Sequence, residues 1–312
     1  MSNVEVRRIQ RVGSSSLVVT LPKPWAKRLG LQPGSSVLLV DEGDSIRVIP
    51  VDKRGSRPLA IDLSRAPEWL AGATPLCVYL SGFSEAEVLL PKGVGGELLR
   101  ARSLDLMALH VYEQAPGEAR IEVLLDSERI DLPRLLKSLA GVARRAAMLV
   151  LEALRGSPGV EGEIEIAKRE FLRVHYVVLR YLASNSVQEG VSGYHAALSA
   201  SYSGFAVDLL LETAAYAARR SGETTPEVLV QAVEETADIV DLLFRILARP
   251  SVKRLAELYS RLSQTRELLG GEMEKLPGLH AVVAAKLHDV LRLVTIAAYV
   301  ATCRVIVEGV QS

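Results

Sequence analysis

Residues 13–25 read GSSSLVVTLPKPW: a glycine, three serines, a run of apolar and β-branched residues, then Pro-Lys-Pro-Trp. A phosphate loop would place Gly-Lys-Ser/Thr after a second glycine, and no lysine follows before Lys23. A nucleophile elbow would need glycine where Leu17 stands. What remains is a glycine turn feeding a strand. Upstream, VEVRRIQ alternates as a strand does, and downstream SVLLVDEGDSIRVIPV is a hairpin with Glu42-Gly43-Asp44 at its tip. Between them, PKPWAKRLGLQPG predicts one short helix, with Pro24 in its first turn, Gly30 at its end and Pro33-Gly34 turning beyond it. Residues 1–52 therefore read as β structure with one helical insert.

The chain has 312 residues, 49% of them hydrophobic, enough for two or three domains with a large core. Only 5% are aromatic, so Leu, Val, Ala and Ile must build that core. Net charge is zero, so no global field marks a nucleic-acid partner and any such signal is local. Residues 1–54 carry it: nine Lys or Arg against five Asp or Glu. Cys77 and Cys303 form no C-x-x-C and no disulfide framework, which fits a reducing cytoplasm. The start MSNVEVRRIQ lacks the apolar run of a signal peptide. The apolar stretch near 290–307 is broken by Arg292 and Arg304 and reads as a buried helix, not a membrane span. Asparagine occurs only as Asn3 and Asn185, a composition that points toward a hot-living source.

DKRGSRP at 52–58 is a linker candidate. Residues 58–126 then mix strands (PLAIDL, LCVYLSGF, EVLLP, LMALHVYE, ARIEVLL) with helix or turn candidates (APEWLAG, GGELLRARS), a small α+β domain. Its KGVGGE, 92–97, lacks the ending of a phosphate loop and reads as a turn. From 131 to 312 the pattern is all α, in six segments near 131–155, 163–184, 190–220, 225–248, 251–269 and 278–308. Thr225 before Pro226-Glu227 and Ser251 are the start signals. The order three-then-three suggests a duplicated three-helix unit. Asp208 and Glu212, at i and i+4, are half of a possible metal site or a surface pair. Glu234, Asp238 and Asp241 share one face, opposite Ile239, Leu243, Ile246 and Leu247, and read as the solvated side of an amphipathic helix. None of the five histidines (His110, His175, His195, His280, His288) has metal or catalytic spacing, so no enzyme and no cofactor is expected.

The run RRIQRVGSSSLVVTLPKPWAKRLGLQPGSSVLLVDEGDSIRVIP, residues 7–50, resembles the AbrB/SpoVT/MazE family of swapped-hairpin DNA-binding barrels. The shared features are the basic first strand, the glycine turn into a strand ending Leu-Pro-Lys, the helix ending Leu-Gly-Leu, then Pro-Gly and a hairpin. The resemblance implies two chains interleaving strands to close one barrel, and DNA contacts from Arg7, Arg8, Arg11, Ser14, Ser15, Lys23, Lys27 and Arg28. It departs from the family in its serine-rich loop, where Gly-Arg is common, and in Ala26-Lys27, where two arginines are common.

The segments VYLSGFSEAEV, RLLKSLAGVARRAAMLVLEAL, EFLRVHYVVLRYL and LRLVTIAAYVATCRVIVEG follow in the order of archaeal-type PhoU proteins, whose architecture the six helices also resemble. That implies two three-helix bundles and a role in phosphate uptake or signalling. Metal-binding carboxylates of that family fall here on Leu172, Phe205, Ala298, Thr302 and Val305, with Glu212 remaining. The expected protein is a multidomain chain: a β swapped-hairpin barrel (1–52), a small α+β domain (58–126) and a PhoU-like helical domain (131–312). Its expected function is that of a cytoplasmic, homodimeric, DNA-binding transcription regulator of phosphate transport. The alternative is an adaptor that dimerises through the barrel and docks a phosphate transporter or sensor kinase.

Overall fold

The computed structural model describes residues 5–311 apart from 15, 42–44, 51–57, 127–128, 221–223 and 273–274. Two compact units divide the chain, residues 1–57 and 58–312.

In the first unit, β1 (Gln10–Val12) and β2 (Ser16–Val18) form an antiparallel hairpin with Arg11 opposite Leu17. Gly13 turns between them at φ 70°, where any other side chain would be strained. Helix α1 (Lys23–Leu29) ends on Gly30 in the left-handed region, whose N–H bonds the Lys27 carbonyl at 3.1 Å. β3 (Val37–Asp41) pairs antiparallel with β4 (Ile46–Pro50), Leu39 opposite Val48; the expected Glu-Gly-Asp tip lies outside the described residues. The two hairpins are separate two-stranded sheets, so one chain does not close the expected barrel. Residues 5–9 of VEVRRIQ are not strand, contrary to their alternation. Alternation supplies a face, but a strand also needs a neighbour for its N–H and C=O groups. Pro22 is the only buried residue among those described in this unit.

The second unit begins with a four-stranded sheet in the order β5-β6-β8-β7: β5 (Leu59–Asp62), β6 (Glu85–Leu89), β7 (Leu109–Ala115), β8 (Glu118–Val123). β5 and β6 are parallel; the other pairings are antiparallel. A parallel pair needs a crossover, and α2 (Glu68–Leu80) supplies it. LCVYLSGF, expected as a strand, is therefore mostly the last turns of α2; its β-branched and aromatic side chains serve a buried helix face instead. Ala71, Val78 and Tyr79 of α2 and Leu99 of α3 (Gly96–Arg102) pack on Ala86, Val88, Ala119 and Ile121. The other sheet face presents Glu87, Glu118, Arg120 and Glu122, with Arg120 ion-paired to Glu85 and Glu122.

The remainder is helical: α4 (Leu132–Leu154), α5 (Val160–Ala218), α6 (Glu227–Ala248), α7 (Val252–Glu272) and α8 (Gly278–Gln311). Asp131 caps α4 by accepting the Arg134 N–H at 3.1 Å. α5 is two helices, reversed at Gly190 (φ 52°, ψ −134°). Its halves fold back on one another, since an added Cβ on Gly204 would meet the His175 ring and Lys168 lies 4.0 Å from Asp208. This recovers the two segments expected at 163–184 and 190–220. α4 packs against α5 and α6, and α8 against α5, α6 and α7. Their buried side chains form one continuous core, each large one worth about 1.5–3 kcal/mol. Thr225 does not cap α6: Pro226 holds that position, and the Thr225 hydroxyl finds no hydrogen-bond partner among the described residues. Residues 278–307 of α8 are long and apolar enough to cross a membrane by length and composition; one face is buried in the bundle and the other is open.

Candidate nucleic-acid interface

The basic residues of the first unit come from three local causes. The Gly13 turn holds Arg11 in the short β1 strand beside the loop bearing Ser14. Pro22, buried at the start of α1, places Lys23 at the helix entry. Lys27 and Arg28 occupy the last turn of α1, where cations also favour the negative end of the helix dipole.

Arg7, Arg8, Arg11, Ser14, Lys23, Lys27 and Arg28 are all exposed; Ser15 lies outside the described residues. Arg7 and Arg8 precede β1 and are not part of it. Arg7 pairs with Glu5, a partner that a count of basic residues passes over. An exposed pair of this kind is worth about 0–1 kcal/mol, so a phosphate can take the arginine from it. The unit thus offers exposed cations on a strand, the chain before it and a helix. A phosphate backbone needs such cations, and base edges can be read by the same guanidiniums.

Asp208 faces the Lys168 ammonium at 4.0 Å, and Glu212 is exposed one turn on. Among the described residues no three His, Cys, Asp or Glu side chains converge to hold an ion.

The acidic stripe on α6 is more than a solvated face. Asp238 takes Arg144 from α4 and Arg261 from α7, the latter at 3.1 Å, while Arg261 also bonds Glu235 at 3.2 Å. Burial opposes ionisation of Asp238, but the two guanidiniums outweigh it and hold its carboxyl below the usual range. Helical periodicity found the face; it could not show that two other helices bring arginines to it.

Arg180 carries no motif and was not singled out in the sequence, yet it joins the sheet domain to the bundle. Only 3% exposed, it donates to the carbonyls of Tyr79 (2.8 Å) and Phe83 (2.9 Å) and sits over the Tyr79 ring. Arg173, Tyr176 and Ser184 on the same side of α5 meet Asp105, the sheet-domain core and Gly82. The one available signal was a lone arginine in the apolar run VHYVVLRYL.

Residues 10–56 match the family model described as antidote-toxin recognition MazE, bacterial antitoxin. The N-terminal region is AbrB/MazE-like. Nothing among the curated proteins and no solved structure matches the chain. The match covers the basic hairpin, α1 and the second hairpin, and stops before the sheet domain.

Proposed function

We propose that this protein is a DNA-binding regulator that acts as a homodimer through its N-terminal unit. The observation that carries the proposal is the coincidence, within the AbrB/MazE-like segment, of exposed cations with exposed apolar strands. Leu17, Val19, Leu39 and Ile46 are more than half exposed in a single chain. Two hairpins of this length cannot bury a core alone. A second copy that interleaves its hairpins covers these side chains and doubles the cation set on one two-fold symmetric surface. Such a surface suits a two-fold symmetric duplex site.

The sheet domain and helical bundle form the sensing or docking part. Its resemblance to PhoU proteins supports phosphate status as the regulated input. The uncharged residues Leu172, Phe205, Ala298, Thr302 and Val305 at that family's carboxylate positions favour a protein contact or non-metal ligand as the signal. A cytoplasmic, non-enzymatic protein fits this role. An adaptor that uses the N-terminal unit only to dimerise is the second reading, favoured by the open apolar face of α8.

The test is duplex binding by the intact chain across a salt series, beside the variant Arg7→Ala/Arg8→Ala/Arg11→Ala. The plot of log affinity against log salt falls by about 0.9 per phosphate neutralised. Six arginines removed from a dimer flatten that slope by up to about 5. Parallel lines for the two proteins would show that these arginines do not touch phosphates. No binding at low salt would favour the adaptor.

A further inference from the structure

We infer that α8 carries a second self-association surface, separate from the N-terminal unit, through which it packs antiparallel against α8 of another copy. Val283, Val290, Leu291, Val294, Ala297 and Ala298 are buried in the bundle. The opposite side of α8 reads Val282, Ala285, Asp289, Arg292, Ile296, Tyr299, spaced 3-4-3-4-3. At roughly 100° per residue these six fall within an arc of about 100°. That spacing is the seam of a helix that packs on a parallel or antiparallel neighbour; within the chain the Tyr259 ring of α7 touches its Tyr299 end, with ring centroids 5.7 Å apart, and among the described residues the seam is otherwise open. Tyr299 is 63% exposed, Ile296 38% and Val282 36%.

Helix α5 extends the same surface. Ser199 bonds the Ala297 carbonyl, and Lys286 lies over Tyr216, so the second half of α5 runs antiparallel beside α8. Phe205, 60% exposed, lies between these two contacts along α5 and so is level with the middle of α8.

The occupant is argued from charge and size. Asp289 and Arg292 are the two charged seam positions, three residues apart, and within one chain they form an exposed ion pair at 3.5 Å that a second copy can exchange at little cost. A two-fold axis between Val290 and Leu291 sets Asp289 of each copy opposite Arg292 of the other. The same axis sets Ile296 opposite Ala285 and Tyr299 opposite Val282, large against small at each level. No other self-register pairs both charges and both size steps. A polar pair at a seam position fixes register and orientation at some cost in stability. A lipid surface or a parallel self-pairing would make no use of this complementarity.

The inference does not rest on DNA binding, and its test reads a different signal. In the full chain with Cys77→Ser and Cys303→Ser, the pair Ala285→Cys/Ile296→Cys should give a disulfide-linked dimer on mild oxidation. Adding Arg292→Asp should lower its yield at least fivefold, and Asp289→Arg/Arg292→Asp should restore it. Circular dichroism checks that each variant is folded; all four positions are outward. Absence of the linked dimer in folded protein overturns the inference. So does cross-linking through the native Cys303 in the Cys77→Ser chain, which would mean a parallel pair. Pelleting with phosphatidylglycerol vesicles that Tyr299→Glu abolishes, without any linked dimer, would assign the face to a lipid surface instead.

Discussion

Replacing Gly204 by alanine isolates how tightly the two halves of α5 are packed. A Cβ built there would lie 2.3 Å from Nε2 and 2.5 Å from Cε1 of His175. The ring has little room to retreat, because it stacks on Phe171 at 5.1 Å and both residues are buried. Two effects compete. Alanine in a helix interior gains about 1 kcal/mol over glycine. Forcing an extra methyl group into a packed core costs about 1–3 kcal/mol. With contacts this short the second effect should win, leaving Gly204→Ala less stable than the parent by up to about 2 kcal/mol. The internal control is Gly141→Ala in α4 or Gly270→Ala in α7, both exposed helical positions where an added Cβ meets nothing within 4 Å. Those two should gain about 0.5–1 kcal/mol. Urea unfolding followed by circular dichroism reads all three as midpoint shifts at constant slope. Adding His175→Ala should remove the clash, so the double variant should show strong coupling between the two sites. If Gly204→Ala and Gly141→Ala shift the midpoint equally and in the same direction, the packing of the hairpin about Gly190 is not as described.

The buried His175 also sets a pH dependence. Burial lowers its pKa from 6.5 to about 4, so the unfolded chain binds a proton that the folded chain refuses. Stability should be full above about pH 6.5 and fall as pH drops toward 4, by up to about 3 kcal/mol; His175→Gln should flatten that limb, and an unchanged profile would refute the assignment. Arg180→Met should cost about 2–5 kcal/mol by leaving the Tyr79 and Phe83 carbonyls without their donor. Its effect should appear as early proteolysis between the sheet domain and the bundle, and a wild-type digestion pattern would count against it. Asp238→Asn should cost only about 1 kcal/mol, since its partners are half exposed, measured as a small loss in urea midpoint that high salt erases.

Helical periodicity in the C-terminal half placed its segments well because that signal is local: an apolar residue every three or four positions serves one buried stripe. Gly190 was harder to read, since nothing in SNSVQEGVSG states that the chain reverses there rather than bends. The reversal shows in which residues meet across it, Lys168 with Asp208 and His175 with Gly204, and those pairs are forty and twenty-nine positions apart. LCVYLSGF misled for the opposite reason. Its side chains suit a strand, but the parallel pairing of β5 with β6 demands a crossover of just this length, and topology overrode propensity.

The candidate interface divides along the same line. Local charge in residues 1–54 was countable, and Arg7, Arg8, Arg11, Lys23, Lys27 and Arg28 from that count are all exposed. The expected barrel is not formed by one chain, because strands 3 and 5 residues long with one buried proline between them do not make a core. Their exposed Leu17, Leu39 and Ile46 are understandable only if another surface covers them. The same argument applies to Tyr299 and Ile296 on α8. Both units leave regular, well-formed faces open, and in each the pattern of charge beside apolar residues fits a second copy. If both faces close between the same two chains, loosening one should weaken the other through lost effective concentration. Leu17→Glu would then lower the yield of the Ala285→Cys/Ile296→Cys cross-link, whereas two interfaces made with different copies would leave that yield unchanged and give a larger assembly by sedimentation.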